Sequence, residues 1–206
     1  GATVHAVELD PVLSGHLRHI LCPEFPDTFH LLEGDAVRRP RAGLPESTDP
    51  FKVVANLPYA ITTPWIEALL REPLPTDMVL MMQQEAADRL TARPGTKAYG
   101  AVSIFLSGAY EKAGLHRVAR SCFYPVPGVD SLLLHLRRKA EPFLFPDPVR
   151  RLIRDLFTRR RKQIGSLLAH QPALQPWLDA LPAHGCSRTS RPETIPPLAW
   201  RELAGS

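Results

Sequence analysis

The chain has only three cysteines in 206 residues, Cys22, Cys122 and Cys186. They stand far apart, form no Cys-x-x-Cys and show no metal-ligand spacing, so neither a disulfide framework nor a metal site is expected. Reduced, partly buried thiols in a cytoplasmic protein are the expectation. No run of 18 or more apolar residues exists, so no membrane-spanning helix is expected, and no signal-peptide pattern is visible. Internal repeats and low-complexity tracts are absent as well. Excess charge is missing from the first two thirds: residues 1–140 carry 15 Lys+Arg and 15 Asp+Glu. Residues 141–206 carry 10 and 6, so the whole net charge of +4 sits there. A basic appendage on a neutral body calls for an anionic partner, nucleic acid first.

What is present begins with 44% hydrophobic residues, enough for a real core. Residues 3–9 read as a strand, and residues 11–21 as a helix with Asp10 as N-cap and Pro11 at its first position. Residues 29–33 and 52–56 read as further strands, and 64–70 as a helix that Thr63 before Pro64 would start. Residues 78–82 are wholly apolar and read as a central strand. Helices are predicted over 84–90 and 101–110, and the last strands over about 115–121 and 131–137. Strands alternating with helices predict an α/β domain with a mostly parallel sheet. A Pro-rich linker, Glu141 to Pro148, breaks the rhythm. Only helical patterns follow, over 149–157, 161–170, 173–181 and 198–203. We therefore expect a domain over 1–140 and a small all-helical domain over 141–206.

In open α/β sheets, ligands bind beyond the carboxyl ends of the strands. Glu8, Asp35 and Asn56 lie at three such ends. Their spacing, one per strand–helix unit, fits an adenosine lying across neighbouring strand ends, with one acid on ribose hydroxyls and one on an exocyclic amine. Glu8 and Asp35 also fit ordinary loop acids, and Asp10 and Asp35 fit helix caps.

Asn56-Leu57-Pro58-Tyr59 is the most informative stretch. A polar amide, a rigid proline and an aromatic at a strand end suit a planar, amino-bearing ring. The Asn56 side-chain oxygen and the Leu57 carbonyl are acceptors for the two hydrogens of an adenine N6. Accepting both aims the nitrogen lone pair at a methyl donor and favours the charge that develops on it. Pro58 fixes the backbone and biases Leu57 towards an extended conformation. Tyr59 offers a ring for stacking. No strong base is required, because the charged product nitrogen loses its proton readily. Asn and Pro are also common turn residues, so a structural turn fits the same four positions.

The matching stretches extend further: Val7-Glu8-Leu9-Asp10, Gly34-Asp35-Ala36, residues 56–64, Gln84 to Leu90, Lys97 to Gly100, Phe123 to Ser131, Phe157 to Lys162, and Arg191-Pro192-Glu193, where a family pattern has Arg-Ala-Glu. On these blocks, in order over nearly all 206 residues, the chain resembles the ribosomal RNA adenine N6,N6-dimethyltransferase family, in its bacterial small-subunit (16S) branch. The resemblance implies a Rossmann-like methyltransferase sheet and S-adenosylmethionine as donor. It places Glu8 and Leu9 at the donor's ribose, Asp35 and Ala36 at its adenine, and Asn56 between donor and target. Leu57, Pro58 and Tyr59 would hold the target base, and Phe123, on a loop stiffened by Pro125 and Pro127, would close over its other face. Arg159, Arg160, Arg161 and Lys162 would contact RNA phosphates. The implied substrate is ribosomal RNA within an immature small subunit, and the implied state is a monomer without a metal.

One family feature is absent. The 12 glycines include no Gly-x-Gly, whereas the family carries a Gly-rich donor loop after its first strand. Gly1 falls just before what resembles the family's second strand. The first strand would lie between the strands ending at Glu8 and Asn56, so a gap is expected there, with weak or absent donor binding by residues 1–206 alone. Two other readings remain open: a non-catalytic ribosome-assembly or nucleic-acid-binding factor with a methyltransferase-like fold, and the macrolide-resistance branch acting on large-subunit RNA.

Overall fold

The computed structural model describes residues 1–206 except Asp49, Glu72, Ser206 and the side chain of Tyr59. It opens with a β–α–β unit: β1 (Val4–Glu8), α1 (Pro11–Glu24) and β2 (Phe29–Glu33). The two strands pair in parallel from Val4 opposite Phe29 to Glu8 opposite Glu33. Asp10 starts α1 as expected, accepting from the amides of Val12 at 2.7 Å and Leu13 at 3.1 Å. These bonds satisfy two of the donors a helix start leaves open.

The second sheet contains β3 (Lys52–Asn56), β4 (Asp77–Gln83), β5 (Tyr110–Val118) and β6 (Ser131–Arg138), in the order β3-β4-β6-β5. β3 and β4 are parallel, whereas β6 runs antiparallel to both β4 and β5. β3, β4 and β5 thus run in one direction, as expected of a mostly parallel sheet, and β6 alone is reversed. β5 and β6 are joined by a loop without a crossover helix, and such a connection yields an antiparallel pair. β4 is central as predicted. Met78, Leu80 and Met82 are buried on one face of it, against Leu134 and Leu136 of β6. Among the described residues β1 and β3 are not hydrogen-bonded to each other, so the two sheets are separate, as the gap expected from the resemblance requires.

Three helices connect the strands: α2 (Tyr59–Leu69), α3 (Gln84–Leu90) and α4 (Ala101–Ala109). α2 begins five residues before the expected start at Pro64. Pro64 is instead inside the helix, where its missing N–H forfeits one helical bond. The start is secured by Pro58, whose carbonyl accepts from the amide of Ile61 and the hydroxyl of Thr62. β5 also begins five residues earlier than predicted, because Tyr110 is buried and donates its hydroxyl to the Pro75 carbonyl at 2.8 Å.

The last third is helical: α5 (Asp147–Thr158), α6 (Ile164–Leu167), α7 (Gln175–Ala180) and α8 (Pro197–Glu202). The helices predicted over 161–170 and 173–181 are shorter than expected. Pro172, Pro176 and Pro182 divide the chain into single turns, since a proline suits the first turn of a helix but not its interior.

These helices share one apolar core with the sheet. Phe105 of α4 meets Phe145 of the linker, and Tyr99 meets Phe157, which meets Trp200, which stacks on Trp177. The buried Tyr99 hydroxyl donates to the Ile195 carbonyl at 2.9 Å. Arg150 of α5 is buried, and its guanidinium donates to the carbonyls of Glu67 at 2.8 Å and Leu70 at 3.2 Å. A cation at a helix C-terminus is favoured by the exposed carbonyl dipoles. Burial lowers the Arg150 pKa, which Glu67 opposes.

The linker is seated on α4. Lys139 donates its amide to the Ala109 carbonyl and its ammonium to the Ser107 carbonyl, and the Phe143 amide donates to the Gly108 carbonyl at 3.1 Å. Gly108 permits this approach. A methyl group there would lie 2.6 Å from the Phe143 carbonyl oxygen.

Candidate active site and RNA face

Parallel β1 and β2 place Glu8 and Asp35 at neighbouring carboxyl ends. Glu8 lies opposite Glu33, and Gly34 donates its amide to the Glu8 carbonyl at 2.8 Å. One Glu8 carboxylate oxygen accepts from the Asp10 amide at 2.8 Å. One oxygen of Asp35 accepts from the Val37 amide at 2.8 Å, and the other lies 3.9 Å from Arg38. Both acids are thus held by their own loops, Asp35 in the cap-like arrangement that its sequence also allowed. Leu9 is exposed, and Ala36 is half-buried against the core.

Asn56 closes β3 opposite Met81 of β4, and its side chain is exposed. Immediately after it the Leu57 amide donates to the Met81 carbonyl at 2.9 Å. The Leu57 side chain is 7% exposed, in the core. The backbone around Asn56 is therefore anchored on both sides while its amide group stays open. Pro58 is extended, with φ −55° and ψ 142°, and leads directly into α2. The expected role of the Tyr59 ring lies outside the described residues.

The loop between β5 and β6 opens at the same end of the sheet. β4 runs parallel to β3, and its last residue, Gln83, lies opposite Ser131, the first residue of β6. With strands about 4.8 Å apart, β6 starts roughly two strand spacings from β3, about 10 Å. Phe123 is half-buried in that loop and extended, with φ −117° and ψ 151°. Asp130 locks the base of the loop. Its carboxylate accepts from the Arg120 amide at 3.0 Å and from the Arg117 guanidinium. These bonds, that from the Arg120 amide foremost, hold its pKa below the ordinary carboxylate value.

The four basic residues after α5 do not act alike. Arg159 pairs with Asp155 at 2.9 Å. Arg160 turns inward: it pairs with Glu193 at 2.6 Å and donates to the carbonyls of Lys97 and Thr96. Arg161 and Lys162 stay exposed. Together with Gln163, Ser166, Thr189 and Arg191 they line an open basin of about 550 Å³. Three cations and no carboxylate line it, which suits an anion. Arg191, in the Arg-Pro-Glu block, is a lining residue that the run of four cations does not include. Its signal in the sequence was Glu193, two positions on, whose bond to Arg160 fixes the segment. Among the described residues no group of three or more His, Cys, Asp and Glu could hold a metal, and no helix is long and apolar enough to cross a membrane.

Residues 2–176 match the family model described as "Ribosomal RNA adenine dimethylase". A relative from Opitutus terrae, "Ribosomal RNA small subunit methyltransferase A", is 56% identical over 206 residues, which is 98% of this chain and 74% of that protein. One of the same name from a Synechococcus strain is 35% identical over 219 residues, covering 98% of this chain and 75% of that protein. Among solved structures, a dimethyladenosine transferase from Plasmodium falciparum superposes with a TM-score of 0.72 at 25% identity, over 96% of this chain and 78% of that one. The 23S rRNA methyltransferase ErmE does so with a TM-score of 0.68 at 25% identity, over 99% and 82%.

Proposed function

The chain belongs to the ribosomal RNA adenine dimethylase family, and on that premise we propose that it dimethylates adenine N6 in small-subunit (16S) ribosomal RNA with S-adenosylmethionine as donor. The observation that carries this is the placement of Asn56. Its exposed side chain stands at the carboxyl end of β3, anchored by the Leu57 amide bond to Met81, about two strand spacings from where the Phe123 loop enters β6.

The donor fits what this chain presents. Glu8 and Asp35 put two carboxylates at adjacent strand ends, acceptors for ribose hydroxyls and for an adenine amine, and their negative charge suits a sulfonium. When bound, S-adenosylmethionine supplies an electrophilic methyl carbon. The chain's own residues do the rest. Asn56 and the Leu57 carbonyl accept the N6 hydrogens and aim the lone pair, Phe123 closes over the flipped base, and buried Leu57 with Pro58 keeps the acceptors from drifting. The N6 proton leaves to water, since the alkylated nitrogen is acidic.

Residues 141–206 serve as the RNA-binding part, with Arg161 and Lys162 on phosphates and Arg159 beside them. Arg160 is a brace rather than a contact. The substrate is ribosomal RNA in the immature small subunit, which puts this work in the cytoplasm, and the protein acts as a monomer.

The test is transfer of tritiated methyl groups to immature 30S particles by the full-length protein. Asn56→Ala should abolish transfer and leave particle binding within about twofold. Lost binding would make the residue structural, and retained transfer would refute its role.

A further inference from the structure

Tyr124 is 100% exposed, immediately after half-buried Phe123. Val126 at 60% and Val129 at 49% exposure continue the same crest. A large aromatic fully in water on a loop tied at its base is unusual, and an exposed apolar patch is more informative than a single exposed side chain. The loop is not loose at its base. Asp130 ties it to Arg117 and to the Arg120 amide, and this consumes the carboxylate that would repel a polyanion. The Arg117 side chain is 73% exposed beside it. The register of β4 and β6 sets this crest at the end of the sheet where Asn56 presents its amide.

We propose that Tyr124 is a stacking platform for a nucleobase flanking the target adenine. The inference rests on the adenine-methyltransferase reading. A target base that leaves its stack exposes the face of its neighbour. Single-stranded RNA bases are commonly held by stacking on aromatic side chains. Phe123 is half-buried and its neighbour Tyr124 is fully exposed, so the two adjacent rings face different surroundings. Phe123 then faces the pocket and Tyr124 the strand that leads into it. Two χ angles give a tyrosine little freedom to lose on stacking, and its hydroxyl stays in water.

The experiment measures steady-state methyl transfer to immature 30S particles by the full-length protein and its Tyr124→Ala, Tyr124→Leu and Tyr124→Phe variants. One base–aromatic stack corresponds to between roughly 5-fold and 150-fold in affinity. Tyr124→Ala should raise KM for the particle about tenfold, with kcat and the donor KM within about twofold. Tyr124→Phe should restore the particle KM, and Tyr124→Leu should not. All three should melt with the wild type, since the side chain touches nothing. A Tyr124→Ala KM within about twofold of wild type, a fall in kcat alone, or rescue by leucine equal to that by phenylalanine would each overturn the proposal. A wild-type protein that transfers no methyl to these particles overturns the underlying reading as well. Wild-type transfer with an alanine-insensitive KM overturns the Tyr124 assignment alone.

Discussion

Two helical glycines give the same substitution opposite consequences. Gly15 lies inside α1 with nothing within 4 Å of where a methyl group would go. Gly15→Ala should gain about 1 kcal/mol from helix propensity and a less floppy unfolded chain. Gly108 lies inside α4, and the same methyl would meet the Phe143 carbonyl oxygen at 2.6 Å and the Phe145 ring at 3.2 Å. Here the obstacle is backbone, which cannot swing aside like a side-chain tip. Overpacking costs about 1–3 kcal/mol. Displacing Phe143 also strains its bond to the Gly108 carbonyl, a further 0.5–1.5 kcal/mol or so. The propensity gain of about 1 kcal/mol offsets part of this, which leaves a net loss of about 2 kcal/mol. With a urea slope near 2–3 kcal/mol/M, the midpoint for Gly108→Ala should fall by about 0.7–1 M. Urea unfolding followed by far-ultraviolet circular dichroism reads both variants. A Gly108→Ala midpoint equal to or above wild type would show that the linker yields freely, and the account of the sealed junction would be wrong.

Two further outcomes follow from the basic turn and the Phe123 loop. Lys162→Ala should weaken particle binding, lower the slope of log affinity against log salt by roughly 1, and leave the melting temperature unchanged. Arg160→Ala should lower the melting temperature because it strips Glu193 and the Thr96 and Lys97 carbonyls of their partner. Equal melting of both variants would contradict the division between contact and brace. The Asp130 pKa is depressed, so its contribution to loop stability is complete above the ordinary value of 3.8 and is lost as the pH falls through the folded-state value. The Arg120 amide resonance should therefore titrate with a midpoint below pH 3.8. A midpoint at or above it would mean that the clamp is absent in solution.

Local signals carried most of the fold. Asp10 before Pro11 announced α1, and the apolar run through Met78, Leu80 and Met82 announced a central strand. The start of α2 was misread because Thr63-Pro64 imitates a helix N-terminus. The true start depends on the Thr62 hydroxyl reaching the Pro58 carbonyl, which no spacing rule displays. Asn56 was legible because a polar residue at the end of a short apolar run is conspicuous, although β3 itself is only half-buried, with Val54 82% exposed. The inward turn of Arg160 was not. Its partners, Thr96, Lys97 and Glu193, are more than 30 residues away in either direction, and four consecutive cations look equivalent until tertiary contacts separate them. The reversal of β6 was hidden for a similar reason, since strand direction is set by the connection and not by strand composition.

The seating of the linker on α4, with Arg150 holding the far end of α2 and Tyr99 bonded to the Ile195 carbonyl, turns the molecule into a gauge. The distance from the Arg161–Lys162 turn to the Asn56 amide is a property of the protein, not something an RNA can adjust by bending a hinge. On the function proposed above, an RNA would be measured against that fixed interval. A target base that fell short of the pocket or beyond it with the phosphates seated would be rejected without being read, and an assembling particle would become a substrate only once its own folding had brought the two features to the right separation.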